Sequence, residues 1–367
     1  VRAAYQGFLQ VPQARLQSAQ TLGAGAWQRF CFVEWPVLRP WLAGGACLVF
    51  LYCFSGFGLA LLLGGSRYTT VEVEIYQLVM YELDMAQASV LVWMVLGVTA
   101  LAGLLYAYLS RQTASDKAVR ALMPHRPQSL GERVLLGFSL MVLLLCCLLP
   151  LAAVIFLAAS AGGSWGVLLE QETLAAGWNT LRFSGMAVLT AVVLGVMYAA
   201  VARRVAWVRG LVFLPFMVSP VCIAAGILLL YPQCTASLPL LVATYALLAY
   251  PFVAKDVLAA WDDLPEDYVS AARGMGANAF QTTLYVTAPL LKPALRRGLT
   301  LAAATCIGEF AATLFLSRPE WQTLTTLIYS YLGRAGEDNY ARAMVLTTVL
   351  MLLSLMVFLL LDEREKT

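Results

Sequence analysis

Long apolar runs alternate with short polar ones along most of the chain. Eight runs reach the roughly 20 mainly apolar residues that a bilayer core demands of a helix. They cover 41–63, 88–109, 134–158, 177–201, 210–231, 238–258, 298–316 and 340–361. Each predicts a membrane-spanning helix, because in lipid the backbone polar groups must be satisfied inside the protein. Pro150, Pro215, Pro220 and Pro251 fall inside these runs. Neighbouring helices can satisfy the groups a proline frees, so the pattern survives them. The expected fold class is all-α, a polytopic bundle of membrane helices.

Composition sharpens this picture. The chain is 61% hydrophobic and 12% charged, whereas a soluble domain carries about 45–50% apolar and about 25% charged residues. The net charge of +3 is small, so the position of the charges carries the information. Arg111, Lys117, Arg120, Arg126 and Arg133 crowd one loop, Arg203, Arg204 and Arg209 another, and Lys292, Arg296 and Arg297 a third. Between them lie acidic loops with Glu72, Glu74, Glu82 and Asp84, with Glu170 and Glu172, and with Glu337 and Asp338. Lys and Arg collect on the cytoplasmic side. The basic set is therefore expected inside and the acidic set outside, which also places the segment before Trp41 and the tail after Leu361 inside. The expected location is a bacterial inner membrane, crossed many times. The eight cysteines show no CxxC spacing, and the single histidine, His125, cannot build a metal site. No cleavable signal peptide is visible. The chain starts at Val1 in a polar segment, and a natural N-terminal part ahead of it is expected.

The chain also repeats itself. Sliding it by 253 positions brings Pro12 onto Pro265, Ala19 onto Ala272, Gly23 onto Gly276, Gln28 onto Gln281, Pro36 onto Pro289 and Pro40 onto Pro293. The match runs on through Phe57 with Phe310 and reaches Thr70, Ile75 and Tyr76, which meet Thr323, Ile328 and Tyr329. Six spans separate equivalent points, so both copies share one orientation, a parallel repeat about the membrane normal. Residues 1–109 hold the end of a first copy, 110–133 a cytoplasmic linker, and 134–367 a complete second copy.

The repeated cytoplasmic segment reads VPQARLQSAQTLGAGAWQRFCFVEWPVLRP, then LPEDYVSAARGMGANAFQTTLYVTAPLLKPAL at about 262–293. Pro12 and Pro265 suit a first helical turn. A short helix rich in small residues follows, and Gly23 and Gly276 stand at its expected end. A second amphipathic stretch then runs to Pro36 or Pro289. A short helix with small side chains, held between two turns, is a compact knob that another protein can approach closely. From one copy alone an ordinary amphipathic loop would explain it equally well; two copies at one topological place favour the knob.

These segments resemble the EAA loops of binding-protein-dependent ABC importer permeases, roughly E-A-A-x-x-x-G with a Pro thirteen positions after the glycine. The glycine and the proline fall in register in both copies. The resemblance spans essentially the whole chain and implies the type I importer permease fold. It implies that each loop is a coupling helix docked on one copy of a cytoplasmic ABC ATPase homodimer, and that a periplasmic binding protein delivers the substrate. The coupling residues it assigns are Gln17, Ser18, Ala19 and Gly23, then Ser270, Ala271, Ala272 and Gly276. The family's Glu is replaced by Gln17 and Ser270, which puts one polar contact in doubt. Two fused copies, the stretch Ile307–Phe310 and the stretch Thr69–Gln77 resemble the fused permeases of thiamine and ferric-iron importers. Thiamine or a thiamine phosphate is the favoured substrate, with ferric iron close behind.

No G-x-x-x-x-G-K-[ST] occurs, so the chain is expected to bind no cofactor and to be no enzyme. ATP and Mg belong on the partner ATPase, no nucleic acid is expected, and lipid surrounds the chain. Glu309 lies in an apolar run, where an ionisable group is costly and commonly functional. It is the one candidate for the substrate pathway, against a plain reading in which its carboxylate bonds backbone or meets outer water. An ion-driven secondary transporter is the rival function. It would not need the repeated cytoplasmic knob, and it commonly carries several intramembrane acids.

Overall fold

The structure is a computed structural model and describes residues 2–64, 68–113, 130–205, 208–209, 211, 218–231, 233, 237–316 and 318–361. Every regular element among them is helical. In chain order they are α1 (Arg2–Leu9), α2 (Gln13–Thr21), α3 (Ala26–Phe54), α4 (Phe57–Leu63), α5 (Val71–Gln77), α6 (Met85–Thr113), α7 (Leu130–Ser160), α8 (Gln171–Arg204), α9 (Pro220–Leu230), α10 (Leu238–Asp262), α11 (Glu266–Gly274), α12 (residues 279–307), α13 (Ala311–Leu316), α14 (Leu324–Gly333) and α15 (Glu337–Leu361). Among the described residues, six helices are long and apolar enough to cross a membrane: α3, α6, α7, α8, α10 and α15. His125 and most of the linker lie outside the described residues, as does much of the expected span 210–231 before Ser219.

Two expected spans are cut in two. The run 41–63 breaks between Phe54 and Phe57, and the run 298–316 between Ile307 and Ala311. The last helical turn closes at the same repeat position in both. Ser55 donates its N–H to the Leu51 carbonyl at 3.0 Å, and Gly308 donates to Ala304 at 3.2 Å. Apolar composition could not reveal this, because both halves of each run are apolar. Pro36 and Pro289 do not end their stretches either. α3 and α12 run on through them, each with a π turn just ahead, at Phe30–Glu34 and Thr283–Thr287. A proline supplies no N–H, and the wider turn shifts the ladder register so that the helix continues. π turns of this kind recur at functional places in helices.

The chain folds into two compact units, residues 1–56 with 90–144 and residues 57–89 with 145–367. In the first unit, α1 lies against α3. A Cβ on Gly7 would stand 3.0 Å from Leu38 Cδ2 and 3.2 Å from Trp41 Cβ, so glycine sets how close the two helices come. Leu38 and Leu51 are buried on α3 and Val95 on α6.

The second unit is built on α8, α10 and α12. Their facing surfaces are small: Ala187, Ala191 and Ala199 on α8, Ala246, Ala249 and Ala254 on α10, Ala294 and Ala302 on α12, all buried. Without a hydrophobic drive between helices in lipid, close van der Waals packing of small residues holds them. Val253 marks the tightest place. A Cβ on Gly195 would lie 2.8 Å from Val253 Cβ, and one on Gly298 only 2.7 Å from Val253 Cα. One end of this unit is tied by polar groups. Glu170 takes an ion pair from Arg342 at 2.8 Å and a hydrogen bond from the Tyr331 hydroxyl at 3.1 Å. Arg342 also pairs with Asp338 at 2.9 Å, and Ser164 donates to the same Asp338 at 2.8 Å. At the other end Arg209 pairs with Asp262, and the Arg203 guanidinium lies 5.0 Å from the Trp261 ring.

Candidate functional site

The two repeated segments have the same local geometry. Pro12 (φ −68°, ψ 118°) and Pro265 (φ −60°, ψ 131°) sit just ahead of the first helical residue, their fixed φ already suited to it. Each helix then runs for nine residues. α2 ends with the Leu22 N–H on the Ser18 carbonyl at 3.1 Å and the Ala24 N–H on the Ala19 carbonyl at 3.0 Å. α11 ends with the Met275 N–H on Ala271 at 3.0 Å and the Ala277 N–H on Ala272 at 3.1 Å. Between those bonds Gly23 has φ +79° and Gly276 φ +88°. This is the left-handed stop that only glycine adopts at little cost. The next helix is capped in register as well: Gln28 Oε1 accepts the Gly25 N–H at 3.0 Å, and Gln281 Oε1 accepts the Asn278 N–H at 2.9 Å.

Gln17, Ser18 and Gly23 are exposed, as are Ser270, Ala271 and Gly276; Ala19 is half-buried and Ala272 buried. The Ser18 hydroxyl folds back onto the Ala14 carbonyl at 2.8 Å. Sequence reasoning missed two neighbours. Leu22 is 87% exposed and Met275 83%. They are repeat partners at the C-terminal cap of each short helix. A bare apolar side chain at an equivalent place in two segments has the exposure that an interface anchor needs. The 253-residue offset pairs Leu22 with Met275, and that pairing was the available signal.

Glu309 stands in the break after α12, half-buried. Its Oε1 accepts the Ala312 N–H at 3.0 Å, so the carboxylate caps α13. Its carbonyl accepts the Thr325 hydroxyl at 3.0 Å. The first copy carries Gly56 at this position and has no such cap of its own. Glu72, in the first turn of α5, was expected in an outer acidic loop; it is 1% exposed there, with both carboxylate oxygens buried and neither in full hydrogen-bond geometry. Burial is a tertiary outcome here, since α5 packs against α9 and α4. The polar groups that face Glu72 are the Ser219 hydroxyl and the Phe57 N–H at the start of α4.

A family profile described as "binding-protein-dependent transport system inner membrane component" matches residues 1–115 and 187–362. The thiamine transport system permease protein of Escherichia coli (strain K12) is 27% identical over 99% of this chain and 69% of its own length. The protein of the same description in Brucella abortus (strain 2308) is 28% identical over 99% of the chain and 68% of its own length. A putative 2-aminoethylphosphonate transport system permease protein of Salmonella typhimurium is 26% identical over 58% of the chain and 78% of its own length. The apolar spans, the paired Pro–helix–Gly segments and a profile match on both sides of the linker agree: this chain belongs to the binding-protein-dependent family of inner-membrane permease components of ABC importers.

Proposed function

We propose that the chain forms the substrate pathway of an ATP-driven importer and couples it, through α2 and α11, to a cytoplasmic ABC ATPase homodimer that alone binds ATP and Mg. A periplasmic binding protein brings the substrate, which we take to be thiamine or a thiamine phosphate. The observation that carries the coupling half is the duplicated geometry of α2 and α11, each a short helix with a glycine stop and a protruding apolar cap residue. Two such knobs fit two copies of one partner. The thiamine half is supported by the relatives whose described substrate is thiamine and that align with 99% of this chain. Gln17, Ser18, Ala19, Gly23, Ser270, Ala271, Ala272 and Gly276 are the proposed contact set, and Glu309 the proposed pathway acid next to the break it caps.

The test is reconstitution. The chain purified alone is expected to hydrolyse no ATP; with the ATPase subunit and the binding protein in proteoliposomes, hydrolysis and uptake of labelled thiamine appear together. Hydrolysis by a preparation that mass spectrometry shows to hold no other chain would refute the division of labour. Ferric-iron uptake without thiamine uptake would replace the substrate.

A further inference from the structure

We propose that Glu72, set against the aromatic cluster at the two helix breaks, is the group that recognises the positive charge of an aromatic organic cation passing through the chain. The inference rests on the importer reading above and adds to it the residue and the class of ligand.

The cost of burial is the first argument. A carboxyl group at 1% exposure with neither oxygen in full hydrogen-bond geometry is costly to bury, and as a carboxylate it has no described cation to pair with. Two donors face it, the Ser219 hydroxyl and the Phe57 N–H, and neither reaches full hydrogen-bond geometry on it. The Ser219 hydroxyl accepts the Val221 N–H at 3.2 Å as the cap of α9, which leaves its O–H to face the carboxylate. No described side chain supplies a balancing cation.

The second argument is the surroundings. Tyr76 lies one turn along α5 from Glu72, on the same face. Its ring meets Phe57 at 5.6 Å and Phe315 at 5.2 Å. Phe57 stacks on its own repeat partner Phe310 at 6.0 Å, and Phe310 meets Tyr329 at 5.4 Å. Phe57, Tyr76 and Phe315 are buried, whereas Phe310 and Tyr329 keep part of their surface open. Ring faces attract cations within about 6 Å, and flat rings stack on flat rings. One carboxylate beside several rings suits a planar, positively charged heterocycle. It does not suit a hard metal ion, which takes six or more oxygen ligands or several carboxylates. The carboxylate is closed off in this conformation, so a cation reaches it when the half-buried rings part. The two breaks, at residues 55–56 and 308–310, are places where helix ends can move without bending a continuous helix.

The experiment uses the chain assembled with its ATPase subunit and binding protein, and labelled thiamine as probe. Glu72→Gln is expected to lower uptake about tenfold or more, the worth of a hydrogen-bonded charge contact, while ATPase association persists and the unfolding temperature holds or rises. Phe310→Leu is expected to lower uptake about threefold, in keeping with an exposed cation–π contact. Wild-type uptake in Glu72→Gln would overturn the inference. So would a fall in unfolding temperature with uptake per folded complex unchanged, the pattern of a structural acid. If the wild-type complex moves no thiamine, the substrate reading fails by itself. The purified wild type and Glu72→Gln are then compared for thermal stabilisation by N-methylpyridinium against neutral pyridine. Stabilisation by the cation that depends on Glu72 sustains the inference, and equal responses defeat it.

Discussion

Replacing both Gly23 and Gly276 with Trp is expected to abolish uptake, and with it stable association of the ATPase, while leaving the membrane bundle folded. Both glycines hold positive φ, and no atom lies within 4 Å of where a Cβ would be built. The first side-chain atom therefore meets no clash with the bundle. The cost is local: an L-residue in the left-handed region loses roughly 1–2 kcal/mol, which the turn can shed by leaving that conformation. The turn is what fixes Leu22 and Met275 as outward knobs. Once it opens, the apolar cap residues no longer present a fixed face. A coupled transition needs a physical element that both sites bias, and the proposed element is the short helix with its stop. Each single variant should lose part of the binding and the double nearly all of it, because each segment is proposed to meet its own ATPase copy. A companion pair, Leu22→Asp and Met275→Asp, separates strain from docking. Both side chains are exposed, so stability should not move, yet association should fall by about 2 kcal/mol per site, as for a central interface anchor. Co-purification of the ATPase and uptake are the measurements. Wild-type association in the double glycine variant would remove these segments from the coupling role.

The second large effect is structural. Gly298→Leu is expected to prevent assembly of the second unit. The nearest atom to its new Cβ is Val253 Cα at 2.7 Å, and the next is the Phe252 carbonyl oxygen at 3.1 Å. Backbone atoms cannot rotate away, so α10 and α12 would have to separate. Overpacking of even a yielding core costs about 1–3 kcal/mol, and separating two helices also opens voids along the rest of their contact. Gly298→Ala should show the same direction at smaller scale. Gly195→Ala should be milder than Gly298→Ala, because its nearest neighbours are the Val253 side-chain atoms Cβ and Cγ1, at 2.8 and 2.9 Å. Gly185→Ala and Gly226→Ala are the controls, since nothing lies within 4 Å of their Cβ positions. There the helix propensity of Ala predicts a neutral or slightly stabilising change. Thermal unfolding in detergent orders the four. If Gly298→Ala melts with the controls, close approach at Val253 is not what holds α10 to α12.

What the chain alone determined is whatever depends on nearby residues or on a fixed period. Twenty apolar residues in a row have few ways to meet lipid, so the membrane class and most spans were readable from hydropathy. Proline before and glycine after a small-residue helix act through their own φ preferences, so α2 and α11 could be placed from the sequence and matched by one offset. The tertiary structure decided what depends on residues far apart in the chain. An apolar run looks the same whether its helix is continuous or broken, so the breaks at residues 55–56 and 308–310 could not be seen in it. The carboxylate of Glu309 caps α13 because the chain turns there. Glu72 sits in a run of charges that reads as an outer acidic loop. It is buried because α5 packs on α4 and α9, and α9 begins 148 positions further along the chain. Gly195 and Gly298 meet Val253 from two different helices. No local preference encodes such a meeting, because the energy that favours it exists only once all three helices are in contact.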